Sequence, residues 1–204
     1  MQRVGRPLEQ DQLRYYFGDG TVDEVLGELS KFQNDDGSFG HAMEPDILMP
    51  NSSLLCSSVA FRVLRELEVS DDSEIVHSAI GYFANSYQPK IDGWDPTGPD
   101  VDDYDRAPWW DYSPIEVRLT PLKVVNPGAE ICDYLKLFGA DSDSDIAVDT
   151  IIEGLLHLFF NLPEEIELHA LMCFICMGEM LSVDVAERIL PKLARAADLA
   201  VSEN

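Results

Sequence analysis

Apolar residues recur every three or four positions in one segment after another of this 204-residue chain, and no segment alternates convincingly between apolar and polar residues. The first such segment opens with Thr21 and Glu24, the pair of a capping box, and places Val22, Val25 and Leu29 on one helical face. This period is typical of amphipathic α-helices, whereas half-buried strands repeat every two residues. The pattern therefore predicts an all-α fold.

The same period predicts further helices along the chain. They are expected to begin after Ser53, after Asp71–Glu74, at Pro127, near residue 146, at Pro163 and near Val183. Pro191 would kink the last helix or divide it in two. His157 and His169 lie in apolar stretches, so we expect both to be core side chains.

The chain length suits one domain, which we expect to span residues 1–204. One long segment, at about 88–125, has no helical period and is rich in Pro, Gly, Asp and aromatic residues. Loops of that length within a compact domain are more often functional than accidental. The sequence therefore directs the search for a site to this segment.

The charge balance excludes several classes of partner. With 38 acidic and 14 basic residues the formal net charge is −24, a field that repels phosphate backbones and anionic lipids. The first residues include no apolar stretch of the kind found in secretion signals, and the most apolar late stretch, 168–181, is too short to span a bilayer. We therefore expect a cytoplasmic protein that neither binds nucleic acid nor inserts into membranes, with its four cysteines reduced.

A compact turn follows the first predicted helix, in the sequence KFQNDDGSFGHAMEPD over 31–46. Asp36–Gly37 is a turn pair that can place a positive φ at the glycine, and the Gln33 amide offers donors and acceptors to open backbone groups. A weaker echo, SYQPKIDGW over 86–94, again runs aromatic–Gln, Asp–Gly and aromatic, and needs one inserted residue to align. The residues expected to form a structural clasp are Gln33, Asp36, Gly37 and Phe39.

The segment from Phe32 to Gly40 resembles the Gln-x-x-Asp-Gly-Ser-Trp/Phe repeat of terpenoid cyclases, including squalene–hopene cyclases, and of protein prenyltransferase β subunits. The resemblance implies an α/α toroid, in which inner and outer helical layers surround an apolar cavity and the motif is a clasp whose Gln caps a helix end. Complete toroids of these families are longer than this chain. An incomplete or reduced ring is therefore implied, or one completed by association, which makes a homo-oligomer a candidate assembly.

In the toroid pattern, the loop after each clasp leads to the rim of the cavity. The first such loop carries His41, Glu44 and Asp46, and the second, which follows Trp94, reads DPTGPDVDDYDRAPWWDY. The resemblance thus implies that both acid-rich loops lie on one rim. The candidate ligand-binding residues are His41, Asp46, Trp94, Asp100, Tyr104, Trp109 and Trp110.

The letters Asp-x-Asp-Asp begin at Asp100 and resemble the motif that supplies the acid in class II terpene cyclases, where it protonates an alkene or epoxide. The resemblance implies that Asp102 is the acid, supported by Asp100 and Asp103, and Glu44 on the other loop is a further catalytic candidate. Such chemistry needs a carboxyl group that apolar burial and like charges keep protonated. The sequence departs from the family directly afterwards, where Tyr104–Asp105 stands in place of Thr-Ala.

Three functions stay open on the sequence. One is a terpenoid cyclase-like or prenyltransferase-like domain that binds a small apolar or polyol-like ligand in a central cavity with an acidic and aromatic rim, with or without catalysis. The second is a non-catalytic helical scaffold for protein association, and the third is a carbohydrate-active α/α-barrel protein, since aromatic faces beside carboxylates suit sugars. His41, Glu44 and Asp46 offer an alternative metal site, but we assign no metal, and the sequence specifies no cofactor.

Overall fold

The computed structural model describes residues 5–112, 121–139 and 146–202, and these contain eight α-helices and no β-strand or sheet. The all-α class predicted from the apolar period is therefore confirmed, whereas a ring arrangement and a single domain over 1–204 stay predictions. The helices, numbered in chain order, are α1 Pro7–Phe17, α2 Val22–Leu29, α3 Leu54–Glu66, α4 Glu74–Asn85, α5 Pro121–Phe138, α6 Val148–Asn161, α7 Leu168–Met180 and α8 Val183–Ser202.

Two of the predicted helix starts are confirmed in atomic detail. The Thr21 hydroxyl accepts a hydrogen bond from the Glu24 N–H at 3.3 Å, and the Glu24 carboxylate accepts one from the Thr21 N–H at 2.9 Å, which completes the capping box of α2. The Ser53 hydroxyl accepts from the Cys56 N–H at 3.3 Å at the start of α3. Both helices thus begin where a side chain satisfies N–H groups that have no helical partner.

The start of α7 differs from its prediction, because the helix begins at Leu168 and not at Pro163. The Glu167 carboxylate accepts hydrogen bonds from the backbone N–H groups of His169 and Ala170, at 3.1 and 3.0 Å. These bonds satisfy the donors of the first turn. The cap therefore determines where the helix starts, and the proline before it belongs to the preceding connection.

The long segment without helical period ends earlier than predicted. α5 begins at Pro121, and the predicted start at Pro127 instead marks a kink, where Asn126 has a φ of −102° and a ψ of 110°. The part of the segment over 113–120 lies outside the described residues. The described remainder of the loop contains two short 3₁₀ turns, Pro99–Asp103 and Pro108–Trp110.

The two terminal helices also differ from expectation. α1 is not predicted by the apolar period, because Leu8 is its only fully buried residue among those described and a single buried position leaves no apolar stripe. α8 runs from Val183 to Ser202 across Pro191, so a division of this helix at the proline is wrong.

Aromatic side chains fill the space between α3, α4 and α5. The ring of Phe61 lies 5.7 Å from that of Phe83, 4.4 Å from that of Tyr134 and 5.3 Å from that of Phe138, measured between centroids. Pairs at such distances add to the free energy gained by removing large apolar surfaces from water. This cluster fixes α3, from which one wall of the site described below is built.

Lys192 connects the last helix, α8, to the end of α6. Its side chain is buried, and its ammonium group donates hydrogen bonds to the carbonyl oxygens of Phe159 at 2.8 Å, Phe160 at 3.4 Å and Leu162. These carbonyls close α6 or follow it, and the last carbonyls of a helix have no partner within it. A cation at this end also interacts favourably with the helix dipole.

A second, smaller apolar cluster lies outside the main core. It consists of Ile47, Met49, Leu55 and Val101, which are all buried, with Tyr104, Trp110 and Tyr112 packed against it. The cluster joins residues of both acid-rich loops to the first turn of α3. Across the part of the chain that the structure describes, no helix combines the length and the apolar character needed to cross a membrane.

Candidate functional site

The two acid-rich loops, residues 41–50 and 95–112, are hydrogen-bonded directly to each other. The Leu48 N–H donates to the carbonyl of Asp105 at 2.9 Å, and the Ala107 N–H donates to the carbonyl of Asp46 at 2.9 Å. Between these bonds, Ile47 and Arg106 form an isolated antiparallel bridge. The two loops, which the resemblance places on one rim, therefore meet side by side.

Asp36 holds the first corner together. Its carboxylate accepts hydrogen bonds from the backbone N–H of Ser38 at 3.0 Å, from the Ser38 hydroxyl at 2.6 Å and from the Ser52 hydroxyl at 2.7 Å. Partial burial raises the pKa of Asp36, but these hydrogen bonds outweigh it and lower the pKa overall. The ionised carboxylate thus ties the turn to the residues that precede α3.

The other clasp candidates connect the corner to two helices. Phe39 is fully buried, and its N–H donates to the Ser57 hydroxyl of α3 at 2.8 Å. Gly37 has a φ of 85°, and a Cβ there would lie 2.3 Å from the carbonyl oxygen of Ser78 in α4. The Gln33 amide donates to the carbonyls of Gly37 at 3.1 Å and Ile75 at 3.4 Å. Gln33 therefore connects the corner to the first turn of α4, and does not cap a helix end as the resemblance implies.

The second corner shares its spacing with the first but differs in backbone pairing, because Gln33 pairs with Phe39, six residues on, and Gln88 with Gly93, five residues on. The Gln88 N–H donates to the carbonyl of Gly93 at 2.9 Å, and Asp92, the fourth residue after Gln88, has a φ of 48°, just as Gly37 is the fourth after Gln33. Trp94, the sixth residue after Gln88, is buried, and its indole N–H donates to the Phe83 carbonyl near the end of α4 at 2.8 Å. Trp94 is thus packed into the second corner.

Arg106 organises the second loop. Its guanidinium donates to the carbonyls of Val101 and Tyr104, both at 3.1 Å, and forms ion pairs with Asp102 at 2.6 Å and Asp111 at 2.9 Å. These contacts close the loop on itself around a cation. The loop therefore has a defined shape although it carries little regular secondary structure.

The environment of Asp102 does not fit the acid role that the resemblance implies. Its carboxylate is 46% exposed, pairs with Arg106 and accepts the Tyr112 N–H at 2.8 Å. That role requires a carboxyl group in an apolar, buried site, whereas this side chain is partly exposed and engaged with a cation. Asp103 is exposed as well. Asp102 and Asp103 therefore serve the shape and the surface of the loop.

Three further candidates belong to the two loops or their contacts with the residues before α3. Asp100 accepts a hydrogen bond from the Asn51 amide at 3.1 Å, and the Tyr104 hydroxyl donates to the Asn51 amide oxygen at 3.4 Å, so both connect the second loop to the residues before α3. His41 is exposed, has a φ of 55° and lies 3.0 Å from the Asn34 side-chain oxygen.

A pocket of about 80 Å³ lies where the two loops meet three helices. Its loop wall is formed by Glu44, Asp46, Trp109 and Trp110, all of which are among the candidates identified in the sequence. Its helix wall is formed by Leu55, Val59 and Arg62 of α3, Asn126 of α5, and His169 and Met172 of α7. We call this cavity the rim pocket.

The two basic side chains of the rim pocket are held by carboxylates of their own. Glu130, which is fully buried, accepts two hydrogen bonds from the Arg62 guanidinium at 2.9 and 2.7 Å and one from the Ser58 hydroxyl at 2.7 Å. Burial opposes the charge of Arg62, but the hydrogen bonds and the charge of Glu130 outweigh it and raise the pKa of Arg62. His169 lies 2.6 Å from a carboxylate oxygen of Glu167.

The acidic side chains of the rim pocket are not paired with a cation in this way, although the Glu44 carboxylate accepts a hydrogen bond from the Asp46 N–H at 3.3 Å. Within the described residues, neither Glu44 nor Asp46 forms an ion pair, and both line the cavity. The indole N–H of Trp110 is buried and has no hydrogen-bond partner among the described atoms. The rim pocket therefore combines two carboxylates without an ion-pair partner and two indole side chains, one of which has a buried N–H without a partner.

None of the residues in the helix wall of the pocket is among the site candidates identified in the sequence. His169 is expected to be a core residue, but 65% of its side chain is exposed, and His157 is exposed too, so both core predictions are wrong. The one available signal is a lone Arg62 in the apolar face of α3 together with Glu130 in the apolar face of α5. Such isolated opposite charges indicate a buried ion pair.

The described residues contain no group of three or more His, Cys, Asp or Glu side chains with the geometry to hold a metal ion. The four cysteines are free thiols. Burial raises the pKa of Cys132 and Cys173 well above the ordinary value and that of Cys176 to about 11. Thiols with a raised pKa are poor nucleophiles and poor metal ligands.

Comparison of the chain with protein-family models, with curated proteins and with solved structures found no match. The interpretation of the rim pocket therefore depends on its own residues.

Proposed function

We propose that this chain is a reduced α/α-toroid domain of the terpenoid cyclase and prenyltransferase type, and that its rim pocket binds the hydroxylated part of a small ligand. The toroid assignment is supported by the repeated corner, in which Gln33 and Gln88 are each followed by a positive φ four residues later and a buried aromatic side chain six residues later. The observation that carries the binding function is the junction of both acid-rich loops with α3, α5 and α7 at one cavity.

The hydrogen-bonding groups of the pocket favour hydroxyl groups as the ligand. Glu44 and Asp46 can only accept hydrogen bonds when ionised, whereas the buried N–H of Trp110 can only donate. A hydroxyl group both donates and accepts, so a polyol satisfies both kinds of partner at once. An ammonium ion would satisfy the carboxylates and leave the indole N–H without an acceptor.

The size of the pocket limits the ligand. Pockets for drug-sized molecules measure roughly 300–1,000 Å³, whereas the rim pocket measures about 80 Å³. It holds a few hydroxylated carbons and not a long hydrocarbon chain. With Asp102 and Asp103 outside the pocket, binding of a polyol-like group fits the geometry better than proton-initiated cyclisation.

Titration calorimetry with glycerol, erythritol and myo-inositol tests this function. We expect at least one of these polyols to bind, and Glu44→Gln to weaken that binding at least about tenfold, since a hydrogen bond to a charged group contributes roughly 1.5–3 kcal/mol. Asp103→Asn removes one negative charge from the exposed surface of the second loop and should leave the affinity unchanged.

A second pair of variants separates the donor from the aromatic faces. Trp110→Phe keeps a ring but deletes the indole N–H, and should weaken polyol binding, while Trp109→Phe at the exposed edge keeps the pocket's hydrogen bonds and should have a smaller effect. The function is refuted if none of the three polyols binds. Binding of tetramethylammonium that Glu44→Gln abolishes would show instead that the pocket recognises a cation.

A further inference from the structure

A groove of about 580 Å³ runs between α7 and α8 and shares no lining residue with the rim pocket. Its walls include large apolar side chains that are partly or mostly exposed: Val183 at 72%, Leu190 at 62% and Ile175 at 36%. Gly178, Ala186 and Ala194 also line it. Small residues allow a neighbouring element to approach closely, so another helical segment could pack in the groove.

The length of the groove matches a helix. Its residues on α8 extend from Val183 to Ala197, which at about 1.5 Å per residue corresponds to roughly 20 Å. That is about four helical turns. Amphipathic helices bind in apolar grooves through side chains on one face, at spacings of three and four residues.

The charges of α8 are separated between its two sides. All three of its basic residues are engaged away from the groove: Arg188 lies over the ring of Phe160, Lys192 caps α6, and Arg195 pairs with Glu164. The groove side carries Glu187, for which the described residues provide no ion-pair partner. This separation leaves an apolar groove with a negatively charged side chain at its margin.

Glu179 adds a second carboxylate to this margin. It also lines the groove, its side chain is 63% exposed, and its only ion pair within the described structure is a long one of 3.7 Å to Arg65. Among the described residues, none of those lining the groove is basic. A partner that supplies positive charge beside an apolar face therefore complements it.

We propose that the groove between α7 and α8 binds a basic amphipathic helix of a partner protein. The same charges oppose occupation by a second copy of this chain, whose net charge is also −24 and whose own Glu179 and Glu187 would approach their equivalents. Like charges placed together across an interface suppress association.

Two synthetic peptides of about four turns test the proposal, with identical leucine faces and with either lysine or glutamate flanking that face. Fluorescence anisotropy with the full chain should show the lysine peptide binding at least about tenfold more tightly than the glutamate peptide. The difference should shrink at high salt, because salt screens exposed charges.

Variants of α8 locate the site. Leu190→Asp, within the groove, should weaken binding of the lysine peptide at least about tenfold, and Glu187→Lys should reduce the preference for lysine over glutamate. Val201→Asp is the matched control, because Val201 is 77% exposed on the same helix outside the groove. It should leave binding unchanged, and circular dichroism checks that all three variants remain folded.

Four outcomes would overturn the proposal. Equal affinity for both peptides would mean that the groove selects for apolar surface and not for charge. Binding that Leu190→Asp and Val201→Asp affect alike would place the contact elsewhere. Failure of both peptides to bind would exclude the proposed occupant, and a dimer seen by size exclusion that Leu190→Asp dissociates would assign the groove to a second copy.

Discussion

Glu130→Gln should lower the free energy of unfolding by about 3 kcal/mol or more, one of the two largest effects that we expect. Glu130 is fully buried, and its carboxylate accepts four hydrogen bonds, from two nitrogens of Arg62 and from the hydroxyls of Ser58 at 2.7 Å and Tyr134 at 3.2 Å. Glutamine keeps one acceptor oxygen and turns the other position into a donor that faces donors. Breaking a buried ion pair from one side costs roughly 3–5 kcal/mol, because the remaining charge is left unpaired.

The lower end of that range applies because the Arg62 side chain is 30% exposed, so water screens part of its charge. Urea denaturation of the variant measures the effect. Glu164→Gln is the matched control: its ion pair with Arg195 at 2.9 Å has both side chains more than half exposed, and its loss should change stability little. If the two variants lose equal stability, Glu130 is not the buried anchor that its contacts indicate.

Asp133→Asn should raise stability, and by an amount that grows with pH. Asp133 is buried in α5 with 1% of its surface exposed, and neither carboxylate oxygen has a hydrogen-bond partner in the described structure. Burial, together with the negative charge of Glu130, raises the pKa of Asp133 to about 8, although Arg65 and Lys136 act in the opposite direction. The folded protein therefore holds a proton here at neutral pH.

The direction of the pH effect follows from proton linkage. In the unfolded chain Asp133 returns to its ordinary pKa of 3.8, so between about pH 4 and pH 8 the folded state binds a proton that the unfolded state releases. Raising the pH through this window destabilises the wild-type protein by up to about 1.4 kcal/mol per pH unit. Below pH 4 the penalty is absent, and above pH 8 it no longer grows.

The asparagine variant cannot titrate at this position, so its advantage over the wild type should increase by about 2–3 kcal/mol from pH 5 to pH 7. Paired urea denaturations at pH 5, 7 and 9 measure this difference, with the exposed Asp103→Asn as a control whose difference stays flat. A difference for Asp133→Asn that does not vary with pH would mean that Asp133 is hydrated or paired in solution.

The loop side of the rim pocket could be predicted from sequence because its signals are local. Acidic and aromatic residues concentrate in two segments without a helical period, and each segment follows a glutamine-containing corner. Glu44, Asp46, Trp109 and Trp110 could therefore be identified as candidates from the sequence. That the two segments lie close together was predicted from the repeated corner, because their separation along the chain gives no such indication.

Other features depended on contacts that a single sequence does not display. Asp102 matches the acid of the motif in sequence, but its ion pair with Arg106 follows from the fold of the loop. Trp94 is a ligand-binding candidate in the sequence because it is an aromatic residue near carboxylates, and the sequence does not display the hydrogen bond from its indole to the Phe83 carbonyl. His169 belongs to a helix rich in apolar residues, and only the Glu167 cap shows that it lies at the exposed first turn.

The most direct test of the central claim, that the two acid-rich loops together form a polyol-binding pocket, is a nuclear magnetic resonance titration of the indole N–H signals. The chain has three tryptophans, and Trp94 is an internal reference because its N–H is buried and bonded to the Phe83 carbonyl at 2.8 Å. With a polyol that binds, we expect the signals of Trp109 and Trp110 to shift, Trp110 most strongly, while that of Trp94 stays in place. Saturating polyol that moves neither of the two loop signals, or that moves all three equally, would contradict the account.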